Sequence, residues 1–212
     1  MNYADGTLIE QLTHVGAHVV ARGLVVGSGG NLSAREPGAR TFVVTGAGTW
    51  LDRLRPNDFA RVSLTNGRRT SGATATTELG LHLATYRARP DVNAIIHLHP
   101  QSVLLLDALG LSIRLATTDH DFYLREIAVV PFAPPGSARL ADLAATAAAD
   151  VQVLSRHGCS VLADSVELAH KRALYLEEAA QLTFRAALLR RRLPALPKEY
   201  RDALAAGDVQ SV

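Results

Sequence analysis

One cysteine, one methionine and one tryptophan occur among 212 residues, and aromatics supply only 5% of the chain. A lone thiol, Cys159, cannot close an intrachain disulfide, so the core must hold without covalent staples, and such usage fits a reducing compartment. No apolar run approaches the ~20 residues of a membrane-spanning helix, and the N-terminus lacks a charged-then-apolar secretory pattern. The expectation is a cytoplasmic chain with no membrane partner. Lysine is nearly missing: Lys171 and Lys198 stand alone among 22 basic residues, which face 20 acidic ones for a net charge of +2. The one dense basic stretch, Arg185 to Arg192, has few aromatics to interleave with it. A solvated or subunit-facing helix surface explains it better than nucleic acid.

What is present is ordinary for a globular domain: 48% hydrophobic and 20% charged residues. The length suffices for one sizeable core without demanding a second domain. No repeat, low-complexity linker or domain boundary interrupts residues 1–212, and 198–212 read as a short terminal helix or mobile tail. Leu8, Leu12, Val15 and Val19 recur at helical spacing and predict a helix over Thr7 to Arg22. Further helices are expected over Leu79–Arg87, Ser102–Ala108, Leu140–Ala149 and Val166–Arg192, the last capped by Asp164-Ser165. Strands are expected at Thr41–Thr45, Ala60–Leu64, Asn93–His99, Ile127–Phe132 and Val151–Leu154, with Asn66-Gly67 as a type I′ hairpin turn. Gly27 to Ser33 reads as a loop, and Thr117 to Tyr123 crowds polar and aromatic residues between hydrophobic segments. The pattern suggests one α/β domain, helices packed on a mixed or antiparallel sheet.

The chemistry concentrates between Thr76 and Pro100. On a strand, His97 and His99 point to the same face, and paired imidazoles suit a borderline-soft cation such as Zn²⁺. The same spacing also serves a merely polar sheet face. Glu78 offers a carboxylate as ligand or proton carrier, and the hydroxyls of Thr76 and Thr77 precede a helix, where an N-cap and a phosphate are both favoured. The cluster Gly27-Ser28-Gly29-Gly30-Asn31 can turn sharply and present donors to an anion, yet it is neither a Walker loop nor a dinucleotide fingerprint. His157 stands where a strand ends at a glycine and could supply a third ligand. His82, four residues after Glu78, suits a packing or supporting role. His14 and His18 form an i, i+4 pair without an acidic partner. His120 and His170 read as surface or loop histidines, and Cys159 as an interior residue.

Taken in order, Gly-Asn-Leu-Ser, a Thr-x-x-Gly turn at Thr45–Gly48, Thr76-Thr77-Glu78, His97-x-His99-Pro and His157-Gly resemble the class II aldolase/adducin family over roughly Leu8 to Leu189. The resemblance implies a three-layer α/β/α sandwich with a mostly antiparallel central sheet, and a homotetramer with sites between subunits. It also implies one Zn²⁺ per subunit held by His97, His99 and His157, with Glu78 as acid/base. Ser28, Gly30, Asn31, Ala47, Gly48, Thr76 and Thr77 fall where that family binds a sugar phosphate. At Thr45-Gly46-Ala47-Gly48 the chain departs from the usual Thr-Pro-Ser/Thr-Gly, losing one hydroxyl that glycine N–H groups could partly replace. The implied reaction is retro-aldol cleavage of a phosphorylated ketose. Epimerase, decarboxylase and dehydratase chemistries share the scaffold, as does a non-catalytic adducin-like role. Asp121 and Tyr123 match a segment that carries an epimerase proton carrier and an aldolase tyrosine, and Tyr200 is a further candidate from the tail.

Overall fold

Alternation along two short strands sets the architecture. In β5 (Ala94–Leu98), Ala94, Ile96 and Leu98 enter one hydrophobic cluster, while Ile95 enters another. In β8 (Gly158–Ala163), Cys159, Val161 and Ala163 join the first cluster and Leu162 the second. Period-two side chains that are apolar in both directions mark strands covered on both faces.

The computed structural model describes residues 6–209. Its remaining strands are β1 (Asn31–Ala34), β2 (Thr41–Thr45), β3 (Phe59–Ser63), β4 (Arg69–Gly72), β6 (Ile127–Val130) and β7 (Val151–Leu154). All eight form one sheet in the order β4-β3-β2-β1-β5-β8-β7-β6. Every pairing is antiparallel except β6 with β7, so the sheet is mixed, with one parallel pair at its edge.

Helices α1 (Leu8–Ala21), α3 (Gln101–Ala108) and α6 (Val166–Leu188) share the larger cluster with the first sheet face. The opposite face is covered by α2 (Leu79–Ala88) and α5 (Ala138–Thr146), which contribute Leu81, Tyr86, Leu140 and Ala144 to the second and third clusters. Helices α4 (Thr118–Leu124) and α7 (Lys198–Ala206) complete the chain. Thr7 caps α1 with a reciprocal Thr7/Glu10 box, and Ser165 caps α6 as expected.

Several local expectations are corrected. Asn31 to Ala34 form a central strand rather than the end of a glycine loop, because the alternating Asn-Leu-Ser-Ala pairs β2 on one side and β5 on the other. The polar and aromatic stretch after Ala116 is helical: Thr117 accepts the His120 N–H and caps α4. The type I′ turn fails because only Gly67 has a positive φ, whereas that turn needs two such residues. Leu64 to Arg68 close the hairpin instead, Asn66 accepting the Arg68 N–H. Thr77 does not cap α2; Glu78 occupies that place, and Thr76 Oγ1 accepts the Glu78 N–H. The long helix stops at Leu188, short of Arg192. In the tail, Lys198–Ala206 is helical, and 210–212 lie outside the described residues.

Two histidines expected at the surface are buried. His120 is fully enclosed, and His170, on α6, packs into a cluster with His14 and His18 of α1. The His18 and His170 rings bond Nδ1 to Nε2 at 2.9 Å. Cys159 is interior, and burial pushes its thiol up to about 12.

Candidate active site

His97 lies one step after Ile95, on the face covered by α2, and the strand ends one residue later, so His99 follows at its exit. His157 sits in the three-residue turn joining β7 to β8, with Arg156 at φ 59° and the His157 N–H bonded to Leu154 O. Glu78 heads α2 on the same face. The chain's three expected ligands and its expected acid/base therefore converge, with one ligand atom from each lying within 4.8 Å of the others.

The Nε2 atoms of His97 and His99 are 3.1 Å apart, His97 Nε2 is 3.0 Å from Glu78 Oε2, and His157 Nε2 is 3.3 Å from Glu78 Oε1. Such separations match the edges of a tetrahedron with metal–nitrogen bonds of about 2.0–2.1 Å. His97 Nδ1 lies 2.9 Å from the carbonyl oxygen of Cys159, to which it can only donate. Its Nε2 is then a bare lone pair directed at His99 and Glu78. Lone pairs facing one another at this distance need a proton or cation between them. Three imidazoles and a carboxylate fit a borderline divalent transition cation.

The surroundings support the same arrangement. A Cβ on Gly29 would lie 2.9 Å from His99 Nδ1, and one on Gly30, at φ 72°, would lie 2.7 Å from His97 O. The glycines of the first loop thus let backbone pass close to the two strand histidines. Glu177, on α6, accepts the Ser102 and Val103 N–H groups at 3.3 Å each, pinning the start of α3 just beyond His99-Pro100.

Burial favours the neutral form of His99 and His157. Burial, then the nearby His97 and His157, push His99 down to about 4, and burial likewise lowers His157. Burial alone would raise Glu78, but His97, His157 and Asn31 outweigh it and hold the carboxyl at about 2. Neutral imidazoles beside an ionised carboxylate are the protonation states that ligate a metal.

Asn31 donates through Nδ2 to Glu78 Oε2 at 2.9 Å, and its Oδ1 is 2.5 Å from His82 Nε2. His82 is wholly buried, which drives it down to about 3. It supports Glu78 through Asn31 rather than by a direct pair. Ser33, the last residue of Gly-Asn-Leu-Ser, also holds this region, together with Tyr86 and Arg35, which no motif marks.

The two stretches matched to phosphate binding meet in space. Thr76 N donates to Thr45 O, Ala47 N to Thr74 O, and Gly46 bridges Ala75. Ala47, Gly48, Thr77 and Ser28 are exposed, whereas Thr76 is buried. The N–H groups of Gly46 and Ala47 are committed, to Asp58 O and Thr74 O, so they cannot replace the missing hydroxyl. Asp121, Tyr123 and Tyr200 gather elsewhere. Tyr123 stacks on Tyr175 at 4.7 Å, Tyr200 bonds Thr118 O, and Asp121 lines a cavity with Arg125 and Arg201. Burial raises Asp121, which retains an unbonded buried oxygen.

The chain is similar to known proteins over most of its length. Residues 10–184 match the class II aldolase and adducin N-terminal domain. An L-fuculose phosphate aldolase of Methanocaldococcus jannaschii is 37% identical over 162 residues, 76% of this chain and 87% of that protein. A 3-oxo-tetronate 4-phosphate decarboxylase of Escherichia coli is 34% identical over 187 residues, 85% of this chain and 87% of its own. Among solved structures, YgbL from Klebsiella pneumoniae superposes with a TM-score of 0.84 at 30% identity, covering 93% of this chain and 97% of that one. L-fuculose-1-phosphate aldolase from Thermus thermophilus gives 0.76 at 28%, covering 89% and 98%. The chain belongs to the class II aldolase/adducin family.

Proposed function

We propose that this chain is a zinc-dependent lyase performing reversible retro-aldol cleavage of a phosphorylated ketose to an aldehyde and a dihydroxyacetone-phosphate-like ketone. The observation carrying this reading is the two-sided environment of Glu78. Its Oε2 accepts from Asn31 Nδ2 and lies 3.0 Å from His97 Nε2, while Oε1 lies buried against His157 without a hydrogen-bond partner. One oxygen fixed and one free is what a proton carrier needs.

His97, His99 and His157 would hold the cation. When bound, zinc supplies the Lewis acidity that stabilises the oxyanion left beside the carbonyl carbon when the bond breaks. In the cleavage direction the ionised Glu78 takes the proton of the hydroxyl on the carbon that leaves as the aldehyde and gives it through Oε1 to the electron-rich carbon; condensation reverses both transfers. Thr76, Thr77, Gly48 and the Ser28–Gly30 loop orient the phosphate, with Asn31 fixed beside them. The reading includes a homotetramer, in which Asp121, Tyr123 and Tyr200 can serve a site formed between copies.

A second reading, decarboxylation of a phosphorylated keto-acid, is supported by the 34% identity to the 3-oxo-tetronate 4-phosphate decarboxylase. It uses the same Lewis acid and the same proton return. Turnover of L-fuculose 1-phosphate, L-ribulose 5-phosphate and 3-oxo-tetronate 4-phosphate separates the readings: triose release supports the aldolase, carbon dioxide the decarboxylase, and pentose interconversion an epimerase. Full turnover by metal-loaded Glu78→Gln would remove Glu78 from the acid/base role.

A further inference from the structure

Behind Glu78 runs a chain of four buried side chains between β1 and α2. Tyr86 Oη is 2.9 Å from Ser33 Oγ, and Ser33 Oγ is 2.7 Å from His82 Nδ1. His82 Nε2 is 2.5 Å from Asn31 Oδ1, and Asn31 Nδ2 is 2.9 Å from Glu78 Oε2. Ser33 and His82 are fully buried, and Tyr86, Asn31 and Glu78 nearly so. Each link therefore has to be satisfied inside the protein.

The direction of every link follows from its last member. A carboxylate only accepts, so Asn31 must present its NH₂ to Glu78 and its carbonyl oxygen to His82. That oxygen accepts, so His82 must carry its proton on Nε2. Nδ1 is then a lone pair, which the Ser33 hydroxyl must fill, and Ser33 in turn accepts from the Tyr86 hydroxyl. The reverse order would set two lone pairs against each other at 2.5 Å, between His82 Nε2 and Asn31 Oδ1. Arg35 anchors the far end, its guanidinium 4.7 Å over the Tyr86 ring and bonded to the Tyr86 carbonyl.

We propose that His82 is a positioning residue: fixed as the Nε2–H tautomer by Ser33 and Tyr86, it prevents the Asn31 amide from turning over and so holds Glu78 Oε2 in place, leaving Oε1 for proton transfer. The catalytic part of this proposal rests on the acid/base reading of Glu78; the tautomer does not. The polarity also brings the positive end of each dipole toward Glu78. Loss of His82 frees Asn31 to rotate and releases the carboxylate from the amide that anchors Oε2.

The test has two arms, both on the full-length metal-loaded protein. Magic-angle-spinning NMR of [¹⁵N]histidine-labelled protein, with the His82 signals identified by their loss in His82→Gln, should show a protonated Nε2 and a bare Nδ1. A protonated Nδ1 would overturn the proposal whatever the enzyme does. In kinetics, His82→Met should lower kcat roughly 10–100-fold with little change in KM, and should raise the acidic limb of the kcat profile. His82→Gln, which retains an N–H donor, should recover most of the rate. Ser33→Ala, a smaller perturbation should His82→Met fold poorly, should shift the same limb in the same direction. An unmoved limb and wild-type kcat in Ser33→Ala and His82→Met would refute the positioning role. Full turnover in Glu78→Gln would instead strike at the proposed function and leave the tautomer result standing by itself.

Discussion

Gly158 lies so close beneath His99 that a Cβ there would stand 2.6 Å from the ring's Cδ2 and 2.3 Å from the Leu98 carbonyl oxygen. Its φ is not in the left-handed region, so space alone excludes a side chain. Gly158→Ala must push β5 from β8 or turn His99 out of the cluster. Overpacking of this kind costs about 1–3 kcal/mol, and urea denaturation together with metal content should show both lowered stability and lost metal. Gly80→Ala is the control, since its Cβ would meet only the Ala141 methyl at 3.7 Å.

The donor set predicts one metal equivalent per chain. Chelation should abolish activity and lower the melting temperature. A cation present at a hundredfold excess over Kd stabilises by about 2.7 kcal/mol, which for a domain of this size corresponds to roughly 5–10 °C. His157→Ala should melt like the chelated wild type and should gain nothing when metal is added. Elemental analysis and differential scanning calorimetry check both statements.

Arg35 is bonded to four carbonyl oxygens, those of Tyr86, Arg89, Pro90 and Val92, and so ties the end of β1 to the C-terminus of α2. Arg35→Met leaves these acceptors unpaired in a mostly buried place and should cost roughly 2–4 kcal/mol. Arg35→Lys should recover little, because an ammonium lacks the planar fork that reaches several carbonyls at once. Chemical denaturation of both variants measures the effect, and near-wild-type stability in Arg35→Lys would count against it.

The Glu78, His97, His99 and His157 cluster was legible because its signals are local. Two histidines at period two need only a strand, and His157-Gly needs only a strand end. Glu78 came with its hydroxyl neighbours. What sequence could not reveal depends on which helix covers which strand. Ser33 and His82 are 49 residues apart and meet only because α2 lies across β1. His170 and His18 are separated by 152 residues and meet where α6 crosses α1, so nothing near either one distinguishes it from a surface histidine. The strand Asn31–Ala34 was hidden by its own length, four residues with two polar ones facing α2. Once α2 is in place, those polar residues are the inner end of the site.

His170 sets a pH dependence separate from the metal. Burial, then His18, His14 and Arg22, lower it to about 4, whereas an unfolded histidine titrates near 6.5. Between these values the unfolded chain binds the proton and the folded chain does not, so stability falls as pH drops. The contribution is complete above about pH 6.5 and lost toward pH 4, on the order of 2 kcal/mol. Urea midpoints of the chelated protein from pH 7.5 to 5 should show the decline, and His170→Leu should lessen it, the remainder coming from His82 and His99, which burial also lowers. Equal slopes would assign the acid sensitivity elsewhere.

The turn at Gly46-Ala47-Gly48 predicts how the enzyme meets a phosphate. Two of its three N–H groups are committed to Asp58 O and Thr74 O, and position 47 carries a methyl where relatives of the pattern carry a hydroxyl. Ala47 is exposed beside the Ala73–Ala75 segment that leads into Thr76 and Thr77, so a hydroxyl placed there would add a donor without displacing a packed group. Ala47→Ser should therefore lower KM for L-fuculose 1-phosphate by about 3–10-fold, the worth of one hydrogen bond, and leave kcat and the turnover of unphosphorylated fuculose unchanged. Steady-state kinetics on the two sugars make the comparison. An equal effect on both would mean that this turn faces another part of the substrate.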